Sequence, residues 1–486
     1  MWSRGLAVTA SGLLLALGVP ATVRAGSHVG GSDWPGYGHD LGNSRSQPQA
    51  GDISVRSVRR LRVAWAARDR GLDASGNPGF VTSTTAVDAG LAVWADWRGD
   101  IHAVDVSSGA VRWVTHIAGA AYFEQINSSP TIAGRRIFVS TGTGTVIALD
   151  RATGKQLWST VVDDAPETDL FSSPVVVGST VVIGVASVQL ASALNPYTFY
   201  GNVVALDAHS GRLRWRTWVE RPGVDGPGGS VWSSAAADPA LGLLYIGTGQ
   251  AYEAPAGPST DSLLALRLRD GRVRWRRQFT SGDVFNFFDQ NKGRDYDIGA
   301  SPNLFDVGGQ RVVGVADKGG RYEVFNALTG KPVWRRQLCP GSHLGGVMTT
   351  AAVANGSIWA TCNRLRDKNE LAEPANRTSV IGLDAATGRT RWTRTVPGGT
   401  AGAVTEAGGA VFVPNTLGTV RAFSGQTGRL LWQARPAGPG HRFDHGVAGG
   451  ITVAADRVLV PYGYTFISKP DFPTDAVGGL VAYRVR

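Results

Sequence analysis

Apolar and polar residues alternate in short runs along this chain, and Gly, Asn, Asp and Ser interrupt the runs at close intervals. Ser173-Pro-Val-Val-Val-Gly-Ser-Thr-Val-Val-Ile183, Asn202-Val-Val-Ala-Leu206 and Leu213-Arg-Trp215 are typical. A period of two bounded by turn residues predicts β-strands. The strands are grouped by a repeated phrase in which a strand closes, a turn containing Gly follows, and Trp stands four residues after that Gly. Its copies are Ala103-Val-Asp105…Gly109…Trp113, Ala148-Leu-Asp150…Gly154…Trp158, Ala205-Leu-Asp207…Gly211…Trp215 and Ala265-Leu-Arg267…Gly271…Trp275. Three more are Val324-Phe-Asn326…Gly330…Trp334, Gly382-Leu-Asp384…Gly388…Trp392 and Ala422-Phe-Ser424…Gly428…Trp432. Gly479-Leu-Val-Ala-Tyr-Arg-Val485 reads as an eighth copy without its turn, and Leu61-Arg-Val-Ala-Trp65 supplies the missing strand. From Trp65 to Trp432 the intervals are 48, 45, 57, 60, 59, 58 and 40 residues. A single four-stranded unit cannot bury both faces, so neighbouring units must cover it. The pattern predicts an all-β fold: an eight-bladed β-propeller whose ring is closed by N- and C-terminal strands in one blade, with the Trp series docking blade to blade.

Composition fits a turn-rich β protein, with 65 Gly in 486 residues and 18% charged residues. The formal charge of +10 comes nearly all from Arg. Those Arg are scattered over strand positions expected to face solvent (Arg212, Arg214, Arg272, Arg274, Arg276, Arg277), without a basic run or interleaved stacking aromatics, so no nucleic-acid partner is predicted. Met1-Trp-Ser-Arg4, the apolar stretch from Gly5 to Val19 and Val23-Arg-Ala25 read as a signal peptide over residues 1–25. Residues 26–486 are then one propeller domain, exported and soluble, with no membrane span. Cys339 and Cys362 are the only cysteines; in an oxidising compartment they form a disulfide or remain as two buried thiols. Without Cys-x-x-Cys-His there is no covalent haem, and no zinc cluster, P-loop or nucleophile elbow occurs.

The repeat phrase resembles the tryptophan-docking motif of pyrroloquinoline quinone (PQQ)-type propellers. Asp33-Trp-Pro-Gly-Tyr-Gly-His-Asp40, with Asn43 and Arg45, is similar to the opening of quinoprotein alcohol dehydrogenases. Thr198-Phe-Tyr-Gly201 through Asp207, Val231-Trp-Ser-Ser234 with Gly247-Thr-Gly249, Asp295-Tyr-Asp-Ile-Gly-Ala-Ser-Pro302 and the ending Gly449-Gly-Ile-Thr-Val453…Tyr462-Gly-Tyr464 resemble the polyvinyl-alcohol dehydrogenase branch. The resemblance implies an oxidoreductase that uses PQQ and a bound Ca²⁺ or lanthanide. Its substrate would be a small secondary or polymeric alcohol, and its electrons would pass to an external acceptor.

By the same resemblance, Trp232 is the indole on which the quinone lies, Asp295 the catalytic base, and Lys318, in Ala316-Asp-Lys318-Gly-Gly320, the cation that polarises the quinone oxygens. The family's metal-binding Glu falls on Gln189 and its Asn ligand on Gln250. Cofactor-contact positions that are usually Thr and Ser are Phe171 and Ala186, and Pro196-Tyr197 stands where many relatives carry adjacent cysteines. Exchanging Glu for Gln removes a charge that a hard cation prefers. Asp297, two residues beyond Asp295, is expected on the same face of an extended strand and would restore a carboxylate, giving the ligand set Gln189, Gln250, Asp295 and Asp297. Taken singly, Trp232 also reads as core, Asp295 as a turn residue and Lys318 as a surface charge. A second reading of the whole is therefore a non-catalytic propeller that binds a protein, peptide or glycan on its loop-rich face.

Overall fold

The computed structural model describes residues 32–74, 76–119, 126–191, 196–289, 293–365, 371, 373–436, 446–463 and 477–486. The leader read over residues 1–25, Tyr464, and parts of the insertions at 283–294 and 363–377 lie outside the described residues. The strands form eight sheets, seven of them consecutive in sequence: residues 86–116, 131–161, 175–218, 236–278, 303–337, 352–397 and 405–434. We number these blades one to seven. In blade eight, Thr452–Ala454, Arg457–Tyr462 and Val477–Val485 are completed by Leu61–Arg70, paired antiparallel with Leu61 opposite Val485. Among the described residues helix is limited to the 3-10 turns Val58–Arg60 and Gln189–Ala191. None of these is long and apolar enough to cross a membrane.

Apolar side chains from neighbouring sheets interlock; Val182, Val203 and Ala205 of blade three, for instance, pack with Leu244, Ile246, Leu264 and Leu266 of blade four. The Trp series fastens the outer strands. Trp215 Nε1 donates to the carbonyl of Leu268, 3.0 Å away in the next blade, and its ring lies on Gly271, where an added Cβ would fall 2.4 Å from Cε3. Gly271 has φ +70°, so only Gly fits both the turn and the overlying indole. Trp65, Trp113, Trp158, Trp275, Trp334 and Trp392 repeat this arrangement on Gly109, Gly154, Gly211, Gly330, Gly388 and Gly428. Trp432 differs for a topological reason. Its neighbour is blade eight, where the chain is cut between the two outer strands, so no turn exists to receive it. It meets Tyr483 edge-on instead, with ring centroids 5.1 Å apart.

The inner strands present free edges to the axis, which need partners. Just before five of them, a hydroxyl on one blade accepts the backbone N–H of the blade before it. Thr84 N donates to Ser129 Oγ, Ser129 N to Ser173 Oγ, Ser173 N to Ser234 Oγ, Ser234 N to Ser301 Oγ and Ser301 N to Thr350 Oγ1, all at 2.8–3.0 Å. The equivalent positions in blades seven and eight are Ala403 and Gly450, and there the belt breaks. Arg45 fills the gap. Its guanidinium is fully buried and donates to the Val404 carbonyl, Thr405 Oγ1, the Ile451 carbonyl, Thr84 Oγ1 and the Tyr37 carbonyl. A side chain at Gly450 would sit 2.6 Å from the Arg45 Nη2. The segment carrying Arg45 runs across the axis, and its carbonyls accept from Val87, Ile132, Ala237, Leu304, Val353 and Glu406 of six inner strands.

Cys339 and Cys362 are joined, with Cα atoms 6.1 Å apart, and tie blade five to blade six. Replacing both by Ala lowers the unfolding free energy by about 2–4 kcal/mol, measured by chemical denaturation. Burial pushes the Arg45 guanidinium down to about 10, yet every acceptor around it requires a donor. Arg45→Met therefore destabilises by about 3 kcal/mol or more, and Arg45→Lys recovers only part of this because one ammonium cannot reach three blades.

Candidate active site

The belt ends where the loops of one face begin, and the predicted residues lie on those loops in blades three to five. Trp232 precedes Ser233-Ser234, and Asp295-Tyr-Asp297 precedes Ser301; the Ser234–Ser301 bond therefore locks the two segments together. Trp232, half-buried, lies directly on Gly299, where any Cβ would fall 1.8 Å from Cη2. Its Nε1 donates to Asp297 Oδ2 at 3.1 Å. Lys318 Nζ sits 3.0 Å from Asp295 Oδ1, 2.9 Å from Asp297 Oδ2 and 5.4 Å from the centre of the Trp232 ring. The backbone N–H of Gln250 donates to Asp297 Oδ1 at 3.2 Å. Trp232, Asp295, Asp297 and Lys318 thus converge; Asp295 is not a solvent-facing turn residue, nor Lys318 a surface charge.

The expected extended strand is absent. Asp295 has φ +57°, and its loop is held by a residue the sequence did not single out: Asp283, whose carboxylate accepts from the N–H groups of Arg294, Asp295 and Tyr296. Asp295 and Asp297 share a target because both reach Lys318, not because of a strand's alternation. On the far side, Ser342 N donates to the Lys318 carbonyl at 3.3 Å, and Gly346 N to Asn363 O at 3.1 Å. The disulfide therefore anchors the loop that backs the lysine.

The two glutamines behave differently from each other. Gln189 is fully buried, but its Oε1 accepts from Thr198 N and Phe199 N, both at 3.0 Å, and its Nε2 donates to the Pro166 carbonyl and Thr198 Oγ1. This bracket needs a donor and an acceptor on one side chain, which Gln has and Glu lacks. Gln250 spends its Nε2 on the Phe285 carbonyl at 3.3 Å, and its Oε1 has no hydrogen bond among the described residues. Phe171 is half-buried, and Tyr197 packs edge-on against Tyr252 at 5.7 Å.

Electrostatics set the site's character. Burial pushes the Asp295 carboxyl well above the ordinary carboxylate range, against the pull of Lys318. Burial pulls the Lys318 ammonium down, but Asp295 and Asp297 together outweigh it and hold the group above its ordinary value. Asp261, also missed by the sequence reading, is raised by burial and then by Asp297, Asp283 and Asp295. Four buried acids thus face one ammonium. Surplus negative charge on oxygen ligands favours a hard polyvalent cation, although no three of these carboxylates bring one oxygen each within 4.8 Å of one another. A half-open indole beside a lysine fits a planar, anionic quinone.

The family model described as glucose/ethanol/alcohol dehydrogenase β-propeller domain matches residues 161–340, a span containing Trp232, Gln250, Asp261, Asp283, Asp295, Asp297 and Lys318. That for the outer membrane protein assembly factor BamB matches residues 364–485, which contain none of them. A polyvinylalcohol dehydrogenase from Pseudomonas sp is 29% identical over 89% of this chain and 73% of its own length. Among solved structures, the quinohemoprotein alcohol dehydrogenase from Comamonas testosteroni superposes with a TM-score of 0.74 at 18% identity, covering 93% of this chain and 80% of that one. A europium-containing methanol dehydrogenase does so at 0.74 and 20% identity, covering 93% and 98%. The chain folds as an eight-bladed β-propeller, its residues 161–340 match a PQQ-type propeller domain, and it is similar over most of its length to the polyvinylalcohol dehydrogenases.

Proposed function

We propose that this protein is an exported, PQQ-dependent alcohol dehydrogenase acting on a secondary or polymeric alcohol, with a leader over residues 1–25 and one propeller over residues 26–486. The observation that carries the reading is the buried Asp295–Lys318–Asp297 arrangement against Trp232, inside the span that matches the dehydrogenase family model. A scaffold gains nothing from burying these charges, since a buried ion pair is a weak source of stability. The BamB match favours the scaffold reading only for blades six to eight, away from this site.

Asp295 is the base. Lys318 fixes Oδ1, while Oδ2 has no hydrogen bond among the described residues and takes the proton of the substrate hydroxyl. When bound, PQQ supplies the two-electron acceptor that no side chain can provide, and a separate carrier then removes those electrons. Trp232 orients the planar cofactor, and Lys318 remains cationic to face its carbonyl oxygens. Asp297, Gln250 Oε1 and Asp261 would hold a metal ion, Ca²⁺ or a lanthanide, which leaves Asp295 Oδ2 to the proton. Gln189 acts as a structural bracket and not as a ligand.

The test is dye-coupled oxidation of short secondary diols and polyvinyl alcohol by purified protein with PQQ and Ca²⁺. Asp295→Asn lowers kcat by about 10³-fold. No turnover by the wild type with either substrate, or an Asp295→Asn variant as fast as wild type, sinks the proposal. The base must be ionised, so the rate rises with pH through the raised Asp295 value. Lys318→Met removes the charge that favours the ionised form, and the acid limb of the residual kcat profile moves to higher pH.

A further inference from the structure

Several buried side chains have a polar atom without a hydrogen-bond partner among the described residues, and one of them, Asp261, belongs to the acidic cluster of this site. Asp261 is completely buried, and neither of its carboxylate oxygens has a hydrogen-bond partner among the described residues. Its backbone is fully committed: N–H donates to the Gly249 carbonyl at 3.1 Å, and the carbonyl accepts from Phe279 N at 2.8 Å. At φ +45° it also holds a conformation that L residues seldom adopt. Neither protonation state resolves the orphan. An ionised carboxylate without a partner costs several kcal/mol to bury, and a neutral one would hold an O–H with no acceptor.

The position of this residue explains what it lacks. Asp261 is tied to Gly249, the residue against which Asp297 also rests, since a Cβ on Gly249 would lie 3.2 Å from Asp297 Oδ1. The next residue, Gln250, donates its N–H to that same oxygen. The acids whose charge Asp261 feels are Asp297, Asp283 and Asp295, in that order, and the opposing cation is Lys318. Lys318 is already shared between Asp295 and Asp297. Asp283 is satisfied by three backbone N–H groups. Asp261 is the member of the cluster whose carboxylate receives no hydrogen bond among the described residues, and both amides at the positions expected to hold a cation, Gln189 and Gln250, are neutral.

We propose that Asp261 is a charge-bearing carboxylate of the cation site, supplying the negative charge that Gln189 and Gln250 do not; this rests on the metal-dependent reading above. Its fold would then be indifferent to the residue when no ion is bound, and its affinity for the ion would not.

The experiment uses the purified full chain and metal ions alone. Tb³⁺ is titrated and followed by luminescence sensitised through tryptophan, Ca²⁺ is titrated by calorimetry, and thermal unfolding is recorded with and without each ion. In Asp261→Asn, affinity for both ions falls at least about 10-fold, the metal-induced rise in Tm shrinks, and the metal-free Tm equals or exceeds that of wild type. Asp306→Asn, on an exposed carboxylate, controls for net charge and leaves affinity unchanged. Equal affinity in wild type and Asp261→Asn overturns this inference and leaves the dehydrogenase proposal standing. A lower metal-free Tm in the variant also overturns it, because Asp261 would then be a structural group. A wild type that binds neither ion overturns both this inference and the metal assignment.

Discussion

The site depends on how the ring solves the problem of its own inner edge. Eight short strands around an axis leave backbone N–H groups with no neighbour in the sheet, and each one buried unpaired would cost about 1–3 kcal/mol. Here a hydroxyl from each following blade takes the N–H of the one before it, through five successive links. Arg45 spans the two blades that lack the hydroxyl. One of those links, Ser234 to Ser301, joins the segments bearing Trp232 and Asp297. The hydrogen bond that closes the ring locally also sets the spacing between aromatic platform and carboxylate. The site is thereby built on rigid elements, as a catalytic geometry requires.

On that base the protein assembles a charge imbalance. Lys318 is paired twice, Asp283 is spent on the loop that presents Asp295, and the Asp261 carboxylate receives no hydrogen bond among the described residues. Burying four acids with one ammonium is unfavourable for a bare fold, and no structural benefit of such a cluster offsets it. The same cluster is well suited to a function in which a polyvalent cation and an anionic quinone enter together and a carboxylate must accept a proton. Raised basicity at Asp295 comes from burial, and Lys318 limits how far it rises.

The ring was legible in the sequence because its fastening is local: the turn Gly, its capping residue and the Trp recur at fixed offsets, and the truncated copy near Val485 with the orphan strand at Leu61 discloses the closure. Trp232, Asp295, Asp297 and Lys318 were legible by resemblance. What escaped depends on contacts distant in sequence. The Ser/Thr pairs at 83–84, 128–129, 172–173, 233–234 and 349–350 are a repeat as regular as the Trp phrase, but their meaning appears only once neighbouring blades meet. Asp261 and Asp283 look like turn residues until burial removes water from them. By resemblance Gln189 stands at a ligand position, and only its hydrogen bonds reveal that both ends of the amide are occupied. The extended strand assumed for 295–297 failed because Asp283 imposes a different backbone there.

The most direct test of the central claim, that this buried charged cluster is a joint cation and quinone site, is a calorimetric titration of the metal-free protein with PQQ in the presence and absence of Ca²⁺. The account predicts one site per chain, with PQQ affinity raised by Ca²⁺ and Ca²⁺ affinity raised equally by PQQ, as linkage requires. Binding of PQQ that is indifferent to Ca²⁺, or none detectable up to about 1 mM, weaker than about −4 kcal/mol, would contradict it.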